Sequence, residues 1–406
     1  MSDRLGERRA AGDYRGALVA ALVEVGRLEE ELGDFDRAEA ALQRGLAVAG
    51  DSAGPRAWVL TRLCGVVRAQ GRPDEARGLA DQAVASARAA SRTGTGSVDD
   101  VVEALVAQGK LRQDAGDAEA AEAILREAVG LATGPSAALA LNALASAIRA
   151  RGRYEEAIDL LHQARQAIAE AFGPASVELA NVLNDIGICC KFAGWFDQGE
   201  QAYRESLAIT EAAVGADHPD VASLYHNLGG LAHARRDFAA AEPHARRSVE
   251  IRTQAHGPDH VDVAADRVAL AAILLDLGQI EEAETHLRES LVVFEAAFGP
   301  SHYEVGVIAS NLGTLAQRGG DLEEAARWHE RALSIKEAVL GPANPEVAIN
   351  LNNLGVVRRK QGRLDDAAAL YRRAVAALEG GVADDHPTLA AVRRNLAKVE
   401  SALSPP

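Results

Sequence analysis

Aromatic side chains make up only 4% of this 406-residue chain, and cysteine occurs three times. So few rings leave little surface for stacking unpaired bases, which speaks against single-stranded nucleic acid as a partner. Three cysteines cannot build a disulfide framework. Cys189 and Cys190 are adjacent within an expected helix, where successive side chains point in different directions. They read as small core or groove residues, not as a redox or metal pair. No run approaches the roughly 18 apolar residues needed to span a bilayer, and the opening residues lack the apolar stretch of a secretory signal. A reduced, cytoplasmic protein is the expectation.

Catalytic signatures are missing as well. There is no phosphate loop of the Gly-x4-Gly-Lys-Ser/Thr form. His329-Glu330 begins like a metal-binding helix, but Leu333 stands where the second histidine is needed. Gly50-Asp51-Ser52-Ala53-Gly54 formally matches a nucleophile elbow, which requires a strand before the serine. Here the run joins two expected helices and reads as a plain loop. Neither an enzymatic activity nor a cofactor is expected. Acidic residues exceed basic ones for a net charge of −16, a field that repels DNA and RNA.

What is present is a period. Gly152, Gly194, Arg236, Gly278, Gly320 and Gly362 stand 42 residues apart, and His218, His260, His302, Asn344 and His386 keep the same step. Such a period implies stacked supersecondary units, none of which can bury its apolar face alone. In the unit from Ala216 to Gly257, Pro219 suits a first helical turn. Val221, Leu224, Tyr225, Leu228 and Leu231 then form an apolar helical stripe. Gly229 interrupts it at a cost of about 1 kcal/mol relative to alanine, so close packing of a second helix is expected there. That helix carries small residues at Ala241 and Ser248 and stops before Gly257-Pro258.

The same grammar recurs nine times. The small residue of the first helix is Gly26, Cys64, Gly109, Ala145, Gly187, Gly229, Ala271, Gly313 or Gly355. A turn residue follows seven positions later. Five beyond it comes Ala38, Ala76, Ala121, Ala157, Gly199, Ala241, Ala283, Ala325 or Ala367.

Leu228-Gly229, Gly152-Arg153-Tyr154-Glu155-Glu156-Ala157 and Asp237-Phe238-Ala239-Ala240-Ala241 make the chain resemble tetratricopeptide repeat proteins. The 42-residue step, Asp217-His218-Pro219-Asp220-Val221-Ala222 and Asn352-Asn353-Leu354-Gly355 resemble the kinesin light chain variety. The resemblance implies an all-α fold: a right-handed superhelical α-solenoid of about nine helix-turn-helix repeats with a C-terminal capping helix. The expected layout has atypical repeats over 1–90, a loop or hinge at 91–98 and another atypical repeat over 99–138. Regular repeats follow over 139–386, and the capping helix spans 387–403.

The histidines one per repeat would be separated by a whole helix pair, roughly 15–20 Å from packing distances, which is beyond one metal's reach. They are expected to cap or pack the first helix. A second column is asparagine: Asn227, Asn311, Asn353 and Asn395 lie two residues before the small landmark, and Asn142, Asn184 and Asn352 three before it. Asn181 lies one turn ahead of Asn184. Asparagine is a mediocre helix former, so its repeated use needs a reason. Its amide matches the N–H and C=O groups of an extended peptide. The resemblance implies that such amides line a concave groove and hold a peptide of a partner protein. Bonding between neighbouring repeats is the other role open to them. Arg149, Lys191, Arg318, Arg359, Lys360 and Lys398 end the first helices. They suit acidic side chains of a partner or complement the helix dipole. Unit five has Asp185 in place of asparagine, and Val268, Ala269 and Ala272 make unit seven a smooth apolar stretch. The expected function is a non-catalytic protein–protein interaction scaffold. The alternative is a sensor subunit that binds a signal peptide and switches a partner enzyme or transcription factor.

Overall fold

The computed structural model describes residues 2–379 and 387–403, so His386 lies outside the described residues. The chain forms two compact units, residues 1–213 and 214–406. The first holds five helix pairs: α1 (Ser2–Glu31) with α2 (Phe35–Ala49), α3 (Ala53–Ala69) with α4 (Pro73–Thr93), and α5 (Val98–Asp114) with α6 (Ala118–Leu131). Then come α7 (Pro135–Ala150) with α8 (Tyr154–Phe172), and α9 (Val177–Ala193) with α10 (Phe196–Val214). The second unit pairs α11 (Pro219–Ala234) with α12 (Phe238–His256) and α13 (Val261–Leu277) with α14 (Ile280–Phe298). It continues with α15 (Tyr303–Gly319) and α16 (Leu322–Leu340), α17 (Pro345–Lys360) and α18 (Leu364–Leu378), and ends on α19 (Pro387–Leu403). Among the described residues these are nine helix pairs and a terminal helix, as expected from the repeat.

The landmarks explain the hairpins. Each turn residue takes the left-handed conformation, with φ of +74° at Gly152, +78° at Gly194 and +80° at Gly278. Aspartates then cap several second helices: Asp34, Asp117, Asp237 and Asp321 each accept from the N–H three residues on. The histidine column caps first helices, as expected. Nδ1 of His218, His260 and His302 accepts from the N–H two residues on, at 3.2–3.3 Å. Asn344 does the same with its side-chain oxygen at 2.9 Å.

Mid-helix small residues are notches for the partner helix. A methyl group at Gly187 would lie 2.5 Å from the Tyr203 ring, and one at Gly355 would lie 2.7 Å from that of Tyr371. Gly109 receives Leu125 and Gly313 receives His329 in the same way. At Gly229 the backbone itself approaches, with Ala245 N 3.3 Å from such a methyl. The alanine column, Ala38 to Ala367, is fully buried at the crossings. Cys64, Cys189 and Cys190 are buried too, and burial pushes their thiols up, that of Cys189 to about 12.

The expected hinge at 91–98 needs correction. Ser91, Arg92 and Thr93 are the last turn of α4, which ends on left-handed Gly94. The link is tied back by Thr95 N–H and Gly96 N–H, both donating to the Ala90 carbonyl at 2.9 and 3.2 Å. A Ser97–Asp100 capping box then starts α5. The break between compact units falls instead at residue 213, inside the regular repeats.

Arg236 is the one non-glycine with positive φ among the described residues, at +66°. A left-handed conformation costs an L-residue about 1–2 kcal/mol, and glycine's greater freedom when unfolded returns roughly half of that. Arg236→Gly should therefore raise stability by about 0.5–1 kcal/mol in denaturant titrations. A lower midpoint would show that the arginine side chain is needed at that turn.

Candidate binding face of the inner helices

Within each unit the first helices of successive pairs touch one another, α3 with α5 and α5 with α7, or α11 with α13 and α15 with α17. Successive second helices keep their backbones farther apart and meet through long side chains, as in the Arg246–Glu282 pair at 2.6 Å between α12 and α14. First helices thus form the inner row of each unit, and the asparagine columns lie on them.

In the first unit half-buried Asn142 on α7 lies beside the Asp185 carboxyl on α9 and favours its ionised form, while the Asn142 Oδ1 is buried without a partner. Burial pushes the Asp185 carboxyl up, against the opposing pull of Asn142, Arg149 and Lys110. Asn181 is exposed and Asn184 half-buried. Lys191 sits 5.1 Å from the Phe192 ring centroid, and neither it nor Arg149 makes an ion pair among the described residues. Burial and the neighbouring Arg149 push the Lys191 ammonium down. Phe192 is 55% exposed and stacks on Tyr154 with centroids 5.6 Å apart. Two cations, the amides of Asn181 and Asn184 and an open ring are thereby gathered along α7 and α9.

In the second unit several of the sequence-selected residues bond between repeats. Asn395 Nδ2 on α19 donates to Asn352 Oδ1 on α17 at 2.9 Å. Arg318 pairs with Asp276 at 2.9 Å and also donates to the Leu275 carbonyl. His233 meets the other oxygen of Asp276 at 2.9 Å, so three first helices are tied in a row. These amides and cations face neighbouring repeats. Asn227, Asn311 and Asn353 are half-buried, and Lys360 is exposed.

Two buried polar residues escaped the sequence reading. Asp266 on α13 is 1% exposed, with His226 at 2.7 Å, Arg252 at 3.3 Å and the Ser248 hydroxyl donating to it. Asn350 on α17 is buried, its Oδ1 within 3.5 Å of the Ser310 hydroxyl. Both occupy a register filled elsewhere by Leu224, Ile308 and Val392, and that polar interruption was the available signal. No group of metal-ligating side chains forms among the described residues, and no described helix is long and apolar enough to cross a membrane.

No curated protein matches the chain. Among solved structures, BtubC (BKLC) from P. vanneervenii is 25% identical, covering 56% of this chain and 92% of its own, with a TM-score of 0.51. The apo form of RapI is 12% identical and covers 89% of this chain and 98% of its own, with a TM-score of 0.64. A candidate kinesin light chain of Podosopora anserina, built from nearly identical TPR-like repeats, is 18% identical. It covers 50% of this chain and 98% of its own, at a TM-score of 0.44. The tetratricopeptide repeat model matches in six overlapping stretches between residues 136 and 404. With its helix pairs, left-handed turns and glycine notches in that register, the chain belongs to the tetratricopeptide repeat family.

Proposed function

We propose that this tetratricopeptide repeat protein is a non-catalytic interaction scaffold, holding an extended acidic segment of a partner protein on the inner face of α7 and α9. One observation carries the reading. Arg149 repels Lys191 across that face, neither makes an ion pair among the described residues, and the Asp185 carboxyl on which Arg149 pulls is itself pushed up by burial. In a chain of net charge −16, placing two cations side by side unpaired favours an anionic ligand from outside. Asn181 and Asn184 supply backbone-matching amides beside them, and exposed Phe192 offers an apolar contact.

Phage display of random peptides on the full chain, followed by fluorescence anisotropy with the best segment, tests this. Acidic segments should dominate, and Arg149→Gln with Lys191→Gln should weaken binding by at least about tenfold. Added salt should reduce that difference, because the two cations are only half-buried. Selected peptides without an acidic bias, or undiminished binding by the double variant, would refute the assignment.

A further inference from the structure

A cavity of about 300 Å³ opens between α3, α5 and α7, where the irregular repeats meet the first regular one. That volume lies at the lower end of small-molecule sites. Its polar rim is Arg62, Glu103 and Lys110, and its apolar wall includes Val106 and Leu139. Neither Arg62 nor Lys110 makes a hydrogen bond or ion pair among the described residues, whereas neighbouring Arg68 is held by Asp114 at 2.9 Å. Burial pushes the Glu103 carboxyl up, against the pull of Arg62. Leu139 is 40% exposed although it faces the cavity.

Gly65 lies on the wall in mid-helix, where glycine costs about 1 kcal/mol relative to alanine. Unlike the notch glycines it has no packing reason: a methyl group there would meet nothing within 4 Å. The missing side chain leaves room in the cavity.

We propose that this cavity binds a small organic carboxylate with an apolar body. Two unpartnered cations match one carboxylate, which a guanidinium can grip with two parallel bonds. The chain's overall negative field disfavours anions of higher charge. At roughly 30 Å³ per water-sized group, the space holds about ten non-hydrogen atoms. This site adjoins the α7–α9 face, sharing α7 with it, but does not depend on the peptide reading.

Octanoate and the uncharged octanamide have the right size and differ only in the head group. Calorimetry on the full chain should show octanoate binding with one site, and octanamide at least about tenfold more weakly. Arg62→Gln with Lys110→Gln should abolish the difference between the two probes. Gly65→Leu, which fills open space, should abolish octanoate binding while leaving the melting temperature undiminished. The proposal fails if octanoate binds no better than octanamide, or if Gly65→Leu binds it as the parent does. It also fails if a peptide with a free C-terminal leucine binds through Arg62 and octanoate does not, since the cavity would then belong to a partner's C-terminus.

Discussion

Lowering the pH from 7 to 4 should remove about 3 kcal/mol of stability through His329 alone. Its side chain is 1% exposed against Gly313, and both ring nitrogens are buried without a partner among the described residues. Burial pushes the imidazole down from 6.5 to about 4. Between those values the unfolded chain binds the proton and the folded chain does not. The contribution is therefore complete above the unfolded value and declines as pH falls through the window. Other groups titrate in acid too, so the comparison must be with a variant. His329→Leu puts at this notch the residue that Leu125 supplies at Gly109. Denaturant midpoints of parent and variant should converge towards neutral pH and separate in the variant's favour as pH falls. Parallel pH profiles would mean that His329 is protonated without unfolding.

Asp266→Ala should cost about 3–5 kcal/mol, the range for removing one partner of a buried ion pair. The carboxylate joins α11, α12 and α13 through His226, Arg252 and Ser248, and Arg252 is itself mostly buried. Arg252 keeps only its bond to the Ser223 hydroxyl once the carboxylate is gone. Asp266→Leu would restore the register of Leu224 and Ile308 yet still leave Arg252 unpaired, so it should not rescue the loss. A double-mutant cycle with Arg252→Ala measures the coupling. A loss below about 1 kcal/mol for Asp266→Ala would place the cluster among weak surface pairs.

The fold was legible because the packing rule is local and repeated. Gly187 and Tyr203, or Gly355 and Tyr371, meet within one hairpin at a fixed spacing, so each pair leaves a small residue at a predictable position. The end of α4 was less legible: Ser91, Arg92 and Thr93 are compatible with helix or loop, and only the conformation of Gly94 decides. Site residues were harder for a related reason. Asn352 and Asn142 stand in the same column, yet one bonds an amide and the other lies beside a carboxyl, because the neighbouring repeat supplies Asn395 or Asp185. Column position tells where an amide lies, whereas its bond depends on a residue some 43 positions away. The cavity left no periodic trace, since its three helices come from repeats with unequal spacing. Asp266 was hidden by the smooth run of Val268, Ala269 and Ala272 behind it.

The notches have a further consequence for how such a chain can be rearranged. Glycine and the ring that fills it belong to the same hairpin, so a duplicated or transplanted hairpin brings its own internal fit with it. The Asp266 cluster draws on three helices from two hairpins, and moving either hairpin alone strands a charge. Cutting and rejoining the array between α10 and α11, or between α14 and α15, leaves that cluster whole, whereas a junction between α12 and α13 divides it. Modular exchange in this protein is therefore penalised at the junction between α12 and α13, although the repeat pattern draws that junction like the others.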